Sequence, residues 1–500
     1  MANQKSRKTA PLTLWITVTA VACVALSSGA VGCDSDETTS STSTSSSTST
    51  GTGGSSTSSG TGGSGATGGG SQGGGGSAPG CGTITTFEDG KTPSAELHVA
   101  TTGSDQTGDG SASTPYGSID FAAAQATPGT AIRVHEGTYS GGESISDLAG
   151  TSDDPIWIGG MPGEARPVLD GSAEGLHLTR VSYLVIHDLE ITGASANGIN
   201  CDDGGEYDNP LATHHVVFRG LYIHDIGSGG NQDCLKLSGL YDFFVLDSEM
   251  AICGGSMSGS GVDHVGCHRG LLAGNSFHDL SGNAVQAKGG STDIEIRANH
   301  LVNAGERGVN LGGSTGFTFF RPPLSQTEPN VEASDIRVIA NVIEGGTTAL
   351  AYVGCVDCLV ANNTIIDPDN WLFRILQETT TSGGYDFLPA SNGRFINNLV
   401  YFEQSALSTY VNIGANTDPS SFQFANNLWY AHDNPGNSQP NLPTTEQAGV
   451  VGSDPAFTTG YEIGSSSPAA AAGIALPEVT ADYTGACYGS PPSIGAHEAD

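Results

Sequence analysis

Charge is scarce in this chain: only 14% of its 500 residues are Asp, Glu, Lys or Arg, against about 25% in ordinary globular proteins. A helical protein of this size draws its surface from Lys, Glu and Arg, so the shortage excludes an all-α fold. Positive charge is scarcer still, with 17 Lys+Arg facing 52 Asp+Glu. Phosphate contacts need a basic footprint, which excludes DNA and RNA as partners. Lysine almost vanishes beyond residue 32, where only Lys91, Lys236 and Lys288 remain. The surface is supplied instead by Ser, Thr, Asn, Asp and many of the 73 glycines, residues of turns and strands.

Lys5, Arg7 and Lys8 form a basic region ahead of an uncharged, largely apolar stretch from Leu12 to Val31. That order reads as an export signal, too weakly flanked for a stable transmembrane helix. Its end, Ala30-Val31-Gly32-Cys33, resembles the lipobox of bacterial lipoproteins, which implies cleavage before Cys33 and a lipid anchor on that cysteine. Loss of Lys5, Arg7 and Lys8 with the signal takes the net charge from −35 to −38. Asp34 to Gly80 is Ser, Thr and Gly with almost nothing to bury, a composition that stays disordered and serves as a tether. The expected location is therefore outside the cytoplasm, held to the bacterial cell envelope or surface through lipid alone.

From Leu184 onward an eight-residue pattern recurs nine times, beginning LVIHDLEI, VVFRGLYI, FFVLDSEM and ending FQFANNLW from Phe422. The spacing averages about 30 residues but varies, as when loops of different length are inserted into a constant unit. Within each unit apolar residues alternate, a short polar pair intervenes, and alternation resumes, which is strand, tight turn, strand. The sixth place holds Asn275, Asn299, Asn341, Asn363, Asn398 and Asn427 in six of the nine units. An amide donates and accepts at once, so identical turns stacked at the strand spacing bond through a column of asparagines. The chain is thereby identified as a right-handed parallel β-helix of about nine or more coils. Its expected divisions are a signal peptide over 1–32, the tether over 33–82, an N-terminal cap with the first coils over 83–180, the core over 181–430 and a capping segment over 431–500.

The flanks carry a family resemblance. Leu97-His98-Val99-Ala100-Thr101-Thr102-Gly103-Ser104-Asp105 resembles the opening of secreted β-helix proteins related to polysaccharide lyases, and Ile494-Gly495-Ala496-His497-Glu498 resembles their ending. In that family the loop after each coil's third strand and the first strand of the next coil form the active face. The corresponding strands here contain Ile199, Leu235, Val262, Val285 and Val309, which alternation sends inward. It sends Asn200, Asp202, Lys236, Asp263, Gln286, Lys288 and Asn310 outward onto one patch, with Asp203 and Asp233 at its edges.

The resemblance implies β-elimination on uronic acid polymers, assisted by Ca²⁺. A cation neutralises the uronate carboxylate so that a base can take the adjacent proton. Lys288, Lys236 and Arg307 are the catalytic candidates, and Asp202, Asp203, Asp233 and Asp263 the candidate Ca²⁺ ligands. Gln286-Ala287-Lys288-Gly289 is similar to the base-lysine segment of alginate and chondroitin lyases, although the acidic ligands that precede that lysine there are replaced here by Ala284 and Gln286. The expected partner is a polysaccharide, anionic under this reading, met by a monomeric protein. Two alternatives stand beside it: a glycoside hydrolase with paired acid and base among Asp202, Asp233 and Asp263, and a non-catalytic rod that binds glycans or a partner.

Eight cysteines remain beyond Cys33, and export favours disulfides. Cys253 with Cys267 is the expected local pair, Cys201 with Cys234 a stacked one, whereas Cys81 and Cys487 could meet only if the C-terminal segment folds back. The loop from Gly312 to Ser334 carries Phe317, Phe319, Phe320 and Arg321, aromatics expected to pack onto the rod rather than stack on sugars.

Overall fold

The computed structural model describes residues 80–500 except 228 and 256–258; the signal peptide, Cys33 and all of the expected tether but its last three residues, 80–82, lie outside the described residues. The described residues lie within one compact unit. Its strands form three parallel sheets of 13, 10 and 12 strands, in which each strand is followed by its neighbour from the next coil. This is the parallel β-helix expected from the repeat. A coil runs through the 10-stranded sheet, here the site sheet, then the 13-stranded sheet, then the 12-stranded sheet, as in Ile199–Asp202, Thr213–Arg219 and Tyr222–Ile226. Pairing extends from Ala95 to Val451, and no helix of the described residues is long and apolar enough to cross a membrane.

The inward alternation is borne out: Ile199, Leu235, Val262, Val285 and Val309 are in register on successive coils and fully buried. The asparagine ladder is continuous. Asn275 Nδ2 donates to Asn299 Oδ1 at 2.9 Å, Asn299 to Asn341 at 3.0 Å, Asn341 to Asn363 at 2.9 Å, Asn363 to Asn398 at 3.0 Å and Asn398 to Asn427 at 3.2 Å. Each of these oxygens also accepts the backbone N–H of the preceding ladder residue, as Asn341 Oδ1 does from Asn299 at 2.9 Å. The residue before each ladder asparagine is left-handed, Ala298 (φ 52°) and Ala340 (φ 53°) included. That conformation costs an alanine roughly 1–2 kcal/mol, which the buried amide bonds offset. Glu446, unmarked by the repeat, ends the ladder by accepting from Asn427 Nδ2 at 2.8 Å and Trp429 Nε1 at 2.7 Å.

The disulfides differ from expectation. Cys234 pairs with Cys253, leaving Cys201 and Cys267 as buried thiols. The reason is direction: Cys201 and Cys234 lie on adjacent coils, but Cys201 pairs in register with Leu237, three residues beyond Cys234. Cys81 does bridge to Cys487, because the C-terminal segment folds back along the rod, with Asn362 Nδ2 donating to the Ser493 carbonyl at 3.1 Å and Arg394 bound to Glu478 at 2.6 Å. Cys355 and Cys358 are disulfide-bonded to each other.

Candidate active site

The site sheet places one outward residue per coil in a single column: His177, Asn200, Lys236, Asp263, Gln286 and Asn310 occupy matching register positions. Two residues further along, Asp202, Ser238, Val265 and Lys288 form a second column. Above these strands lies a cleft of about 510 Å³, lined among others by Asn200, Asp202, Asp203, Lys236, Lys288 and Arg321.

One wall of the cleft is the long loop that follows Gly312. Arg321 crosses from it to Asp203, 118 residues away in sequence, in a bidentate pair with Nε at 2.6 Å and Nη2 at 3.1 Å. Its guanidinium also lies 4.2 Å from the centre of the Tyr207 ring. Buried Glu332 ties the base of the same loop to the lysine strand, accepting from Gly289 N at 3.0 Å, Thr315 N at 2.9 Å and Thr315 Oγ1 at 2.9 Å, and from Thr379 Oγ1. As expected, Phe320 is buried and Phe317 packs on Tyr385 and Phe387. Phe319 departs from that expectation, being 53% exposed and lining the cleft. Tyr352 is fully buried, its hydroxyl donating to the Arg394 carbonyl at 2.9 Å.

Beneath the floor, Asp233 and Asp263 are buried carboxylates on neighbouring coils. Lys236 Nζ hydrogen-bonds Asp263 Oδ2 and stands 3.4 Å from Asp233 Oδ2, and Lys288 Nζ is 3.3 Å from the same Asp263 oxygen. Asp233 Oδ1 accepts the Ser260 N–H at 2.8 Å. Asp233 Oδ2 and Asp263 Oδ1 have no hydrogen-bond partner. Burial works against Asp263, but the two ammonium groups outweigh it and hold the carboxyl below its ordinary range. Asp233 goes the other way, raised by its own burial and by the charge on Asp263. Burial would lower Lys236, yet the two carboxylates outweigh this and raise it above the usual lysine value. Inside the same coil, burial lowers His264 to about 4. That ring is therefore neutral, with Nδ1–H donating to the Gln286 carbonyl at 2.8 Å.

The predicted site residues thus fall into two groups. Lys236, Lys288, Asp233 and Asp263 come together, and Asp202 and Asp203 line the same cleft. Arg307 stands apart: it pairs in register with Asn283, five residues before Lys288, and binds Glu378 at 2.7 Å and Asn310 Oδ1 at 3.0 Å. Lys236 is unsuited to act as a base, since its neighbours favour the charged form. Glu332 went unremarked in the sequence, and Arg321 was noted only as a member of its loop, without a part in the site. Arg321 had a signal, as the only basic residue between Gly312 and Ser334.

The four aspartates do not fit a Ca²⁺ ion. Asp202 Oδ2 meets His177 Nε2 at 2.8 Å and accepts from Asn200 Nδ2 at 3.1 Å, its Oδ1 accepts from Gly204 N at 2.8 Å, and Asp203 is held by Arg321. Asp233 and Asp263 share Lys236. Among the described residues no three His, Cys, Asp or Glu side chains gather in a metal-binding arrangement.

Residues 97–282 match the family model described as Pel9A-like, right handed beta helix region. No curated protein matches the chain in sequence. The crystal structure of pectate lyase Pel9A superposes with a TM-score of 0.51 at 17% identity, covering 82% of this chain and 98% of the other. An alginate lyase from a Paenibacillus species gives a TM-score of 0.42 at 14% identity, over 65% of this chain and 99% of the other. A rhamnogalacturonan lyase gives 0.39 at 12% identity, over 70% of this chain and 90% of the other. The likeness to Pel9A shows the fold, a right-handed parallel β-helix.

Proposed function

We propose that this β-helix takes a polysaccharide chain into the cleft above Lys236 and Lys288 and cleaves it by β-elimination at uronic acid residues. One observation carries the reading: in a chain with so few lysines, two lie on the same face two coils apart and converge on one buried carboxylate, Asp263, on the coil between them. Lys236 stays charged and supplies electrostatic stabilisation for the uronate carboxylate and the carbanion-like transition state. Lys288, in its uncharged form, then accepts the proton adjacent to the carboxylate, the bond to the leaving sugar oxygen breaks, and an unsaturated sugar end forms. Exposed Phe319 offers an apolar face to a sugar ring.

The test is incubation of the protein with alginate, pectate, chondroitin and neutral glycans, following absorbance of the unsaturated uronate. Growth of that band on one acidic polymer supports the reading. Glycan binding without unsaturated or reducing ends would replace it with a binding rod.

Export and lipid anchoring belong to the same proposal, because a tethered rod would meet polymers outside the cell. Cys33→Ser should move the protein from the membrane to the soluble fraction, since no acyl chain remains to hold it; unchanged membrane association would remove the anchor.

A further inference from the structure

Two aspartates on adjacent coils ordinarily invite a divalent cation, but here an ammonium already lies between them. Lys236 Nζ is bonded to Asp263 and 3.4 Å from Asp233, and Lys288 Nζ lies 3.3 Å from Asp263. Strand geometry enforces this arrangement: Lys236 and Asp263 are directly paired in register and alternation points both outward. Lys236 has little freedom to leave, with 18% of its side chain exposed. Lys236 compensates the Asp263 carboxylate directly and stands within ion-pair distance of Asp233. A divalent ion would have to expel Lys236 or share the space with it, and either arrangement leaves charges uncompensated in a poorly solvated place.

We propose that Lys236 is the resident cation of this cleft, doing the work of charge neutralisation that a Ca²⁺ ion would otherwise do, so that the site functions without a divalent metal. Its role toward a uronate carboxylate rests on the lyase reading above; its role toward Asp233 and Asp263 does not.

The two parts separate in experiment. Thermal melting of the full protein in millimolar Ca²⁺ should match melting in chelator to within about 1 °C, because the cleft gains no free energy from the ion. Terbium, used as a luminescent stand-in for Ca²⁺, should give no sensitised emission at stoichiometric protein. Lys236→Met, which keeps length and loses charge, should melt lower than the parent and regain stability when Ca²⁺ is added. Lys236→Arg should keep the parent's indifference to Ca²⁺, and provides the comparison if the Met variant does not fold. A parent whose melting temperature rises with Ca²⁺, with the rise abolished by Asp263→Asn, overturns the proposal. So does a Lys236→Met variant that melts like the parent and ignores the ion. If a uronate polymer is cleaved, the rate should survive chelator, and its loss would also overturn the idea. If no polymer is cleaved, the lyase reading fails while the melting and terbium results still decide whether Lys236 replaces a metal.

Discussion

Two polar columns run along this rod, and they are built on opposite plans. The ladder repeats one residue from Asn275 to Asn427, with every amide bonded to the next. The site column changes residue at almost every coil, and beside it Asp233 Oδ2 and Asp263 Oδ1 remain without hydrogen-bond partners. A uniform, satisfied column stabilises; a varied one with unsatisfied atoms spends stability on a localised electric field. The contrast predicts that substitutions in the ladder damage folding alone, whereas those in and beside the site column damage function.

The largest expected effect is beside the site column. Lys288→Ala should lower product formation by about 10³-fold, within the range for loss of a general base, and leave the melting temperature nearly unchanged. Full activity in that variant, measured by uronate absorbance, would break the contrast from the functional side.

Next comes the ladder. Asn341→Leu should cost ~3 kcal/mol, because the Asn299 backbone N–H and side-chain amide lose the acceptor Asn341 Oδ1, Asn363 Oδ1 loses one of its two donors, and these groups stay buried. Chemical denaturation measures this, and a midpoint equal to the parent's would mean the ladder contributes little.

Phe319→Ala sharpens the comparison at the cleft wall. Loss of one aromatic stacking face is worth ~1 kcal/mol, so KM should rise about fivefold with kcat held, and stability should not move because the ring is already exposed.

The smallest effect is in pH. Asp233 keeps its proton to higher pH than an ordinary aspartate because it is buried beside Asp263. As pH rises through that elevated value the cleft gains a negative charge, so an anionic oligosaccharide should bind a few-fold more weakly. The same ionisation removes a stabilising contribution that is complete only below the unfolded-state pKa. Asp233→Asn should flatten the binding profile; an unchanged slope would assign the titration to another group.

The sequence by itself determined the coil, the ladder and the side on which each strand residue lies. Those features are periodic and local: period-two alternation fixes that Val285 points in and Gln286 points out, and the recurring asparagine fixes where one coil stacks on the next. The pairing of Lys236 with Asp263 follows from the same register. Only the tertiary structure decided that Arg321 reaches Asp203, that Glu332 fastens the loop to Gly289, that Cys234 takes Cys253, and that Lys236 stands where a metal was expected. These depend on how far an inserted loop extends and on which charge reaches a buried carboxylate first. Neither is periodic, so a repeat cannot encode it: loop closure joins residues 118 positions apart through contacts specific to this one chain.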